Sequence, residues 1–280
     1  MLLHLVAAAS AATLEVGPAE AYTTISAAIA AASSGDTILV GPGTYTETPD
    51  PRGKSLTITS RDGPHTTRIV ASDTIYVDGG SLEGFTFDPA YSTAIGVQSG
   101  SPTLRELVIA GPSTYGVVVS GGTPLLEEIL VSDAGSYSFV AKGGSPLIRR
   151  CVSLDAATWG FQVITSASVA NILSIGGKYG LVINSNGATV NNGVVVGATS
   201  GAIAAAANAT FTNWAFRDSP YVVQCSASVT ATLPNGVAFN TLAAKDCAST
   251  TLDNVDNADP LFSYWSSSAD FNALDFAPGA

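Results

Sequence analysis

The chain has 280 residues with 11 Lys and Arg against 22 Asp and Glu, a formal charge of −11, and is 46% hydrophobic but only 12% charged. That composition excludes a disordered chain and a coiled coil, and the acidic balance excludes the positive surface that nucleic acid or an anionic membrane requires. No apolar run approaches the roughly 18 residues that span a bilayer, so no transmembrane segment is expected.

The first element, Leu2 to Ala12, is a short apolar run closed by Ala9-Ser10-Ala11, the small-x-small form of a signal-peptidase site. Residues 1–11 therefore read as a signal peptide, with His4 where Lys or Arg is usual, and the mature chain as secreted or displayed at the cell surface. Tyr22 to Glu47 follows, YTTISAAIAAASSGDTILVGPGTYTE. Here Thr24 caps a short helix within residues 22–35, whose Ile25, Ala28, Ile29 and Ala32 form one apolar stripe ended by Gly35. Such a helix would cover the open first coil of a repetitive fold, where bare strand edges invite aggregation. Thr37-Ile38-Leu39-Val40 then reads as a strand and Gly41-Pro42-Gly43 as a turn. Next come Arg52, Lys54, Arg61, Asp62, His65 and Arg68, with five basic side chains within 17 residues. They are either a solvated loop or a receptor for a uronate or sulfate, with Arg61 or His65 placed to take a proton next to a carboxylate.

The middle of the chain repeats with a period of 22 residues and then 20, in rows that begin at Ser81, Thr103, Leu125, Leu147, Val169, Thr189 and Ala209. Phe85, Leu107, Ile129, Cys151 and Leu173 make one apolar column, and Phe87, Ile109, Val131 and Ile175 another two residues on. A spacing of two is strand periodicity with one face inward. A second strand follows in each row, carrying Ile95 and Val97, Val117 and Val119, Phe139 and Ala141, Phe161 and Val163, then Leu181 and Ile183. Gly100-Ser101-Pro102, Gly122-Thr123-Pro124 and Gly144-Ser145-Pro146 recur as turns. This pattern predicts an all-β, single-stranded, right-handed parallel β-helix of about ten coils, occupying residues 12–280 with regular coils over 81–228 and a C-terminal segment over 248–280. Glu83, Arg105, Glu127 and Arg149 alternate in sign down one column, as neighbouring parallel strands favour, and Asn171 and Asn191 are expected to continue it.

Tyr115, Tyr137, Trp159 and Tyr179 each precede a small residue, Gly116, Ser138, Gly160 or Gly180, in four successive rows. They are either a stack that closes one corner of each coil or a line of rings under the apolar faces of sugar units, with Lys178 and other polar neighbours holding hydroxyls. The small residue marks a bend that turns the rings inward or outward. Cys225 and Cys247 are spaced for a disulfide or are two buried thiols, and Cys151 falls at an inward position.

The pattern TI-x-x-AI-x-x-A-x-x-GDTI-x-V-x-PGTY-x-E, read from Thr24 to Glu47, resembles the opening of pectate-lyase-like β-helix proteins, including pectin methylesterases and some polysaccharide lyases. The resemblance implies the fold and is nearly silent on chemistry. It does not carry a catalytic set, because the QAVAL, QD and DFIFG segments of the methylesterases are missing. The nearest counterparts of the acidic residues of pectate lyases are Asp133 and Asp155 in one column, with Asp88 offset by one residue and Arg150 nearby. Two carboxylates do not make a Ca²⁺ site; they would suffice for a glycosidase pair, and Asp is equally a turn residue. Asp259-Pro260-Leu261-Phe262 with Asp270-Phe271 and Ala277-Pro278-Gly279-Ala280 is similar to the closing segment of secreted β-helix proteins. Asp253, Asp256 and Asp259, at spacing three before it, would suit a Ca²⁺ loop and are equally ordinary turn residues.

Three readings of function follow. The first is a secreted or cell-surface protein that binds polysaccharide or another extended extracellular ligand through Tyr115, Tyr137, Trp159, Tyr179 and Lys178. The second is a polysaccharide lyase or glycoside hydrolase using Asp133, Asp155, Arg61 and His65. The third is a structural or adhesion stalk. No cofactor is called for beyond a possible Ca²⁺, no metal centre is expected with two histidines, and the oligomeric state is open.

Overall fold

The computed structural model describes residues 10–239, 241–247 and 249–253. The chain is a right-handed parallel β-helix of about ten turns with one short helix at its start. Successive coils stack in parallel, forming one seventeen-stranded and one nine-stranded sheet. Residues 1–9, most of the segment expected to be a signal peptide, and the closing segment with Asp256 and Asp259 lie outside the described residues.

A representative coil runs as strand Leu125–Ser132, a corner, and strand Tyr137–Ala141, before a Gly-rich turn leads to the next. Thr103 lies opposite Leu125, which lies opposite Leu147, and Ile95, Val117, Phe139, Phe161, Leu181 and Ile203 are likewise in register along the nine-stranded sheet. Side chains with the same register stack at the strand spacing of about 4.8 Å. Inside, this produces ladders such as the Phe139 and Phe161 rings, 4.6 Å apart and 3° from parallel. Where one column must hold a large ring, the rung below gives way: a Cβ on Gly193 would lie 2.3 Å from the indole of buried Trp214.

The first strand of each coil is broken by a single residue in the left-handed backbone region: Glu106, Glu128, Arg150, Asn171, Asn192, Asn213 and Asn235, with φ between 51° and 57°. Only Gly and, less readily, Asn and Asp adopt this conformation without appreciable strain, and the later coils use Asn throughout. Their side chains make a ladder in which Asn192 Nδ2 donates to Asn171 Oδ1 at 3.1 Å, Asn213 Nδ2 to Asn192 Oδ1 at 3.0 Å, and Asn235 Nδ2 to Asn213 Oδ1 at 3.2 Å. In the earlier coils charge replaces amide. Glu83, Arg105, Glu127 and Arg149 are in register as expected, and Arg149 Nε lies 2.5 Å from the Glu127 carboxylate. Arg150 also reaches Glu127 and donates to Glu128 Oε1 at 2.9 Å.

The register corrects the row alignment from Val169 onward. Leu147 pairs with Ser168, so this repeat is 21 residues long, because the turn corresponding to Gly144-Ser145-Pro146 has lost one residue. A slip of one exchanges the faces of a strand. Ile172 and Ser174 are therefore the buried residues, and Leu173 and Ile175 lie on the outer side. Asn171 accordingly belongs to the left-handed corner, while Asn191, opposite Ala170, stays in the column of Arg149.

The N-terminal helix is Ile25–Ala31, shorter than the expected span, and ends at Ala32 instead of Gly35. Thr24 Oγ1 accepts from Ala27 N, and the Glu47 carboxylate accepts from the backbone N–H groups of Ile25 and Ser26, each at 2.8 Å. At the other end Lys54 Nζ donates to the carbonyls of Ile29 and Ala30. Asp36 accepts from the backbone of Ala12 and Ser33 at 2.8 Å, and these bonds hold its carboxyl below the usual range. The Tyr45 hydroxyl donates to the Gly41 carbonyl at 2.9 Å. Thus the polar residues of the Thr24–Glu47 pattern hold the cap together, which is why that pattern reports a fold and no chemistry.

Near the last described coils Cys225 and Cys247, whose Cα atoms are 4.7 Å apart, form a disulfide between consecutive turns. Cys151 is a buried thiol, pushed up to about 12 by burial.

Candidate functional site

The nine-stranded sheet carries the ring column at the start of its strands. Tyr115 lies opposite Tyr137, Tyr137 opposite Trp159, Trp159 opposite Tyr179, and Tyr179 opposite Gly201. The residue after each ring decides its direction. A Cβ on Gly116 would run into Val131, one on Gly160 into Ser174 Oγ and one on Gly180 into Val195, all of them interior side chains. Ser138, the remaining member of that small-residue column, is fully buried with its hydroxyl 2.8 Å from that of Ser153. Since Val117, Phe139, Phe161 and Leu181 also point inward, two consecutive residues face the core and the chain must bend between them. The ring just before that bend is left on the outer side, and all four are half-buried.

The rings do not form a continuous row. Tyr137 and Trp159 are stacked at 4.4 Å and 6°, and Tyr115 lies 5.4 Å from Tyr137 with a 41° tilt. The Lys142 ammonium sits 5.1 Å from the centre of the Tyr115 ring. Tyr179 leaves the stack: its hydroxyl donates to Gln224 Oε1 at 2.7 Å, which turns its ring away from the stacked pair of Tyr137 and Trp159. Gly201 lets it pass, since a Cβ there would lie 3.2 Å from Tyr179 Cε1. Gln162 and Gln224 lie on the outer side of the same sheet, in one column with Val182 and Ala204. Sequence reasoning missed both glutamines. The available signal was a polar residue at the outward position of strands whose flanking positions, Phe161 and Val163 or Val223 and Cys225, are inward.

Lys178 is exposed next to Tyr179. Asp133 and Asp155 are exposed at the second corner of consecutive coils, with φ of 54° and 49°, and Gly111 and Gly176 take the same left-handed role in the coils on either side. Their backbone position alone accounts for the residue type, and Asp155 Oδ1 occupies the space a side chain at Gly176 would need, 2.4 Å from its Cβ. Asp88 pairs with Arg68 instead.

The basic cluster does not converge. Arg61 pairs with Glu15 at 2.9 Å and Glu20 at 3.2 Å, Arg52 pairs with Asp50 and lies 4.9 Å from the Tyr76 ring centre, and Lys54 is on the helix end. The Arg52 hydrogen bonds hold the Asp50 carboxyl below its ordinary value. His65 is exposed, and among the described residues its ring makes no hydrogen bond or ion pair. Among the described residues no three His, Cys, Asp or Glu side chains gather as a metal site, and no helix is long and apolar enough to cross a membrane. A shallow groove of about 470 Å³ runs beside the asparagine ladder, floored by Leu173, Val194 and Ala215.

No family model matches the sequence, and no curated protein matches it. Among solved structures the chain is similar to pectin methylesterase from Aspergillus niger, at 14% identity in its penultimately deglycosylated form and 13% in its deglycosylated form. Each match covers 89% of this chain and 83% of the other, with a TM-score of 0.44. At that identity the likeness concerns the fold alone, and no residue role is carried across.

Proposed function

We propose that this is a secreted or cell-surface β-helix protein that binds carbohydrate through the outer side of the nine-stranded sheet. The supporting observation is the outward placement of Tyr115, Tyr137, Trp159 and Tyr179, in register on four consecutive coils. Half-buried aromatic rings held on a rigid strand offer apolar area at little cost in conformational entropy, and sugars have the matching C–H faces. Gln162, Gln224 and Lys178 supply donors and acceptors of the kind that orient a hydroxylated ligand. The disulfide between Cys225 and Cys247 suits an oxidising compartment outside the cell.

The test is affinity electrophoresis of the purified protein in gels containing neutral and acidic polysaccharides, with and without Ca²⁺, together with an assay for new reducing ends. Retardation by at least one polysaccharide, weakened by Trp159→Ala in a variant that still folds, is the expected result. Retardation by none overturns the reading. New reducing ends would replace it with a polysaccharide-active enzyme and direct attention to Asp133, Asp155, Arg61 and His65.

A further inference from the structure

Resting on the carbohydrate reading, we infer that the glycan crosses the solenoid at a single recess between Trp159 and Tyr179, instead of lying along the ring column. Rings stacked face to face have little face left to offer. The faces shared by Tyr137 and Trp159 are closed by their 4.4 Å stack, and a tilted Tyr115 with Lys142 against it ends the group on the other side. Along that stretch a ligand would meet chiefly ring edges. One broad face remains, the side of the Trp159 indole toward the next coil, because Tyr179 does not stack there.

Tyr179 is held away by a specific device. Its hydroxyl reaches Gln224, two coils further on, over Gly201. Two coil spacings are about 10 Å, so the side chain must lean along the solenoid axis to make that bond. The outcome is a step in which the indole is a wall, the Tyr179 ring runs along the base, and Gln162 and Lys178 border it. The wall lies close to parallel with the Tyr137 ring, 6° apart, and both belong to a stack that grows along the axis. A pyranose packed against that wall has its ring, and therefore its chain direction, across the axis. Only the sugar in the recess and its neighbour then touch aromatic surface. Gln224 acts as a positioning residue: it keeps the recess open by holding Tyr179 off Trp159.

The experiment takes whichever polysaccharide retards the intact protein and titrates short oligomers of that same polymer, of increasing length, by calorimetry. Affinity is expected to stop rising beyond about two units. Trp159→Ala and Gln224→Leu should each weaken binding at least about tenfold, and Tyr115→Leu should cost several-fold less than either. Gln224→Glu, which still accepts a hydrogen bond from the Tyr179 hydroxyl, should restore binding. Near-UV circular dichroism without ligand reads the same step: Gln224→Leu should add a Trp–Tyr coupling signal and Gln224→Glu should not. Affinity that keeps rising with length, with Tyr115→Leu as damaging as Trp159→Ala, would overturn the recess and leave the carbohydrate reading standing. A Gln224→Leu protein with unchanged binding and dichroism would overturn the role of Gln224. Failure of every polysaccharide to bind would remove the parent reading and this inference together.

Discussion

The two halves of the solenoid share a backbone and differ in what holds its corners. Through Arg150 the left-handed corner carries Glu106, Glu128 and Arg150, flanked by Arg105, Glu127 and Arg149. From Asn171 to Asn235 the same corner carries four amides bonded in line. The cap before the first half depends on the ionised groups of Asp36, Glu47 and Lys54, whereas the last described coils are closed by a neutral disulfide. Eight of the eleven Lys and Arg residues precede Cys151. One geometric requirement, a residue at positive φ at this corner of successive coils, is thus met by two chemistries: charge, which is sensitive to salt and pH, and the amide, which is not.

This contrast can be tested from either side. Replacing Cys225 by Ser opens a loop of 22 residues and is expected to lose about 3 kcal/mol. Because coils interact mainly with their neighbours, the loss should be local: hydrogen exchange should accelerate over Tyr221–Cys225 and remain unchanged over Thr37–Val40. Uniform acceleration would show that the halves unfold as one unit.

Glu127→Ala removes a carboxylate that is only 5% exposed in its side chain and is shared by two arginines. The expected loss is about 2 kcal/mol, below that for a fully buried pair because Arg149 and Arg150 can turn to water. Denaturant unfolding at low and high salt should show the difference between mutant and parent shrinking as salt rises. A salt-independent difference would remove charge as the distinguishing feature of this half.

Asn192→Ala breaks two bonds in the middle of the ladder and puts Ala at positive φ, for an expected loss of about 1 to 2 kcal/mol that is the same at both salt concentrations. Asn192→Gly keeps the corner and should recover part of that loss.

The smallest effect concerns acid. The Asp36 carboxyl is held below its ordinary value by the backbone donors of Ala12 and Ser33. A depressed folded value means that its contribution is complete above the unfolded value of about 3.9 and is lost as pH falls through the folded one. Acid should therefore loosen the cap before the asparagine coils. Amide exchange of Ala12 and Ser33 compared with Val194 over an acid series would check this, and simultaneous loosening would contradict it.

Much of the fold was legible because its causes are local. Alternation in Leu125–Ser132 and Tyr137–Ala141 marks two strands, and the Gly-Ser-Pro or Gly-Thr-Pro turns mark the period. Legibility failed at Leu173 and Ile175, where one residue lost from a turn leaves the strand equally apolar on both faces, so hydrophobicity could not report the slip. The ring direction was also hidden, since it depends on two consecutive inward residues, Gly116 and Val117, and on what a Cβ at the first would strike in another strand. The departure of Tyr179 from the stack depends on a partner 45 residues away, beyond the reach of any local pattern. In the basic cluster, Arg61 meets Glu15 and Glu20 only because coils stack, which disperses a group that looked convergent along the chain.

The register also makes the molecule a ruler. Each coil contributes one layer of core and one step of about 4.8 Å, and its strands pair only with those of its neighbours. The distance from the helix-covered end to the disulfide-closed turn is therefore counted in whole rungs. Duplicating a unit such as Leu125 to Pro146 would move the two ends apart by one step while leaving both closures intact, whereas a gain of one residue within a strand would exchange its inner and outer faces. Length in this architecture changes by discrete increments, and whatever the outer sheet meets is presented at positions set by integers.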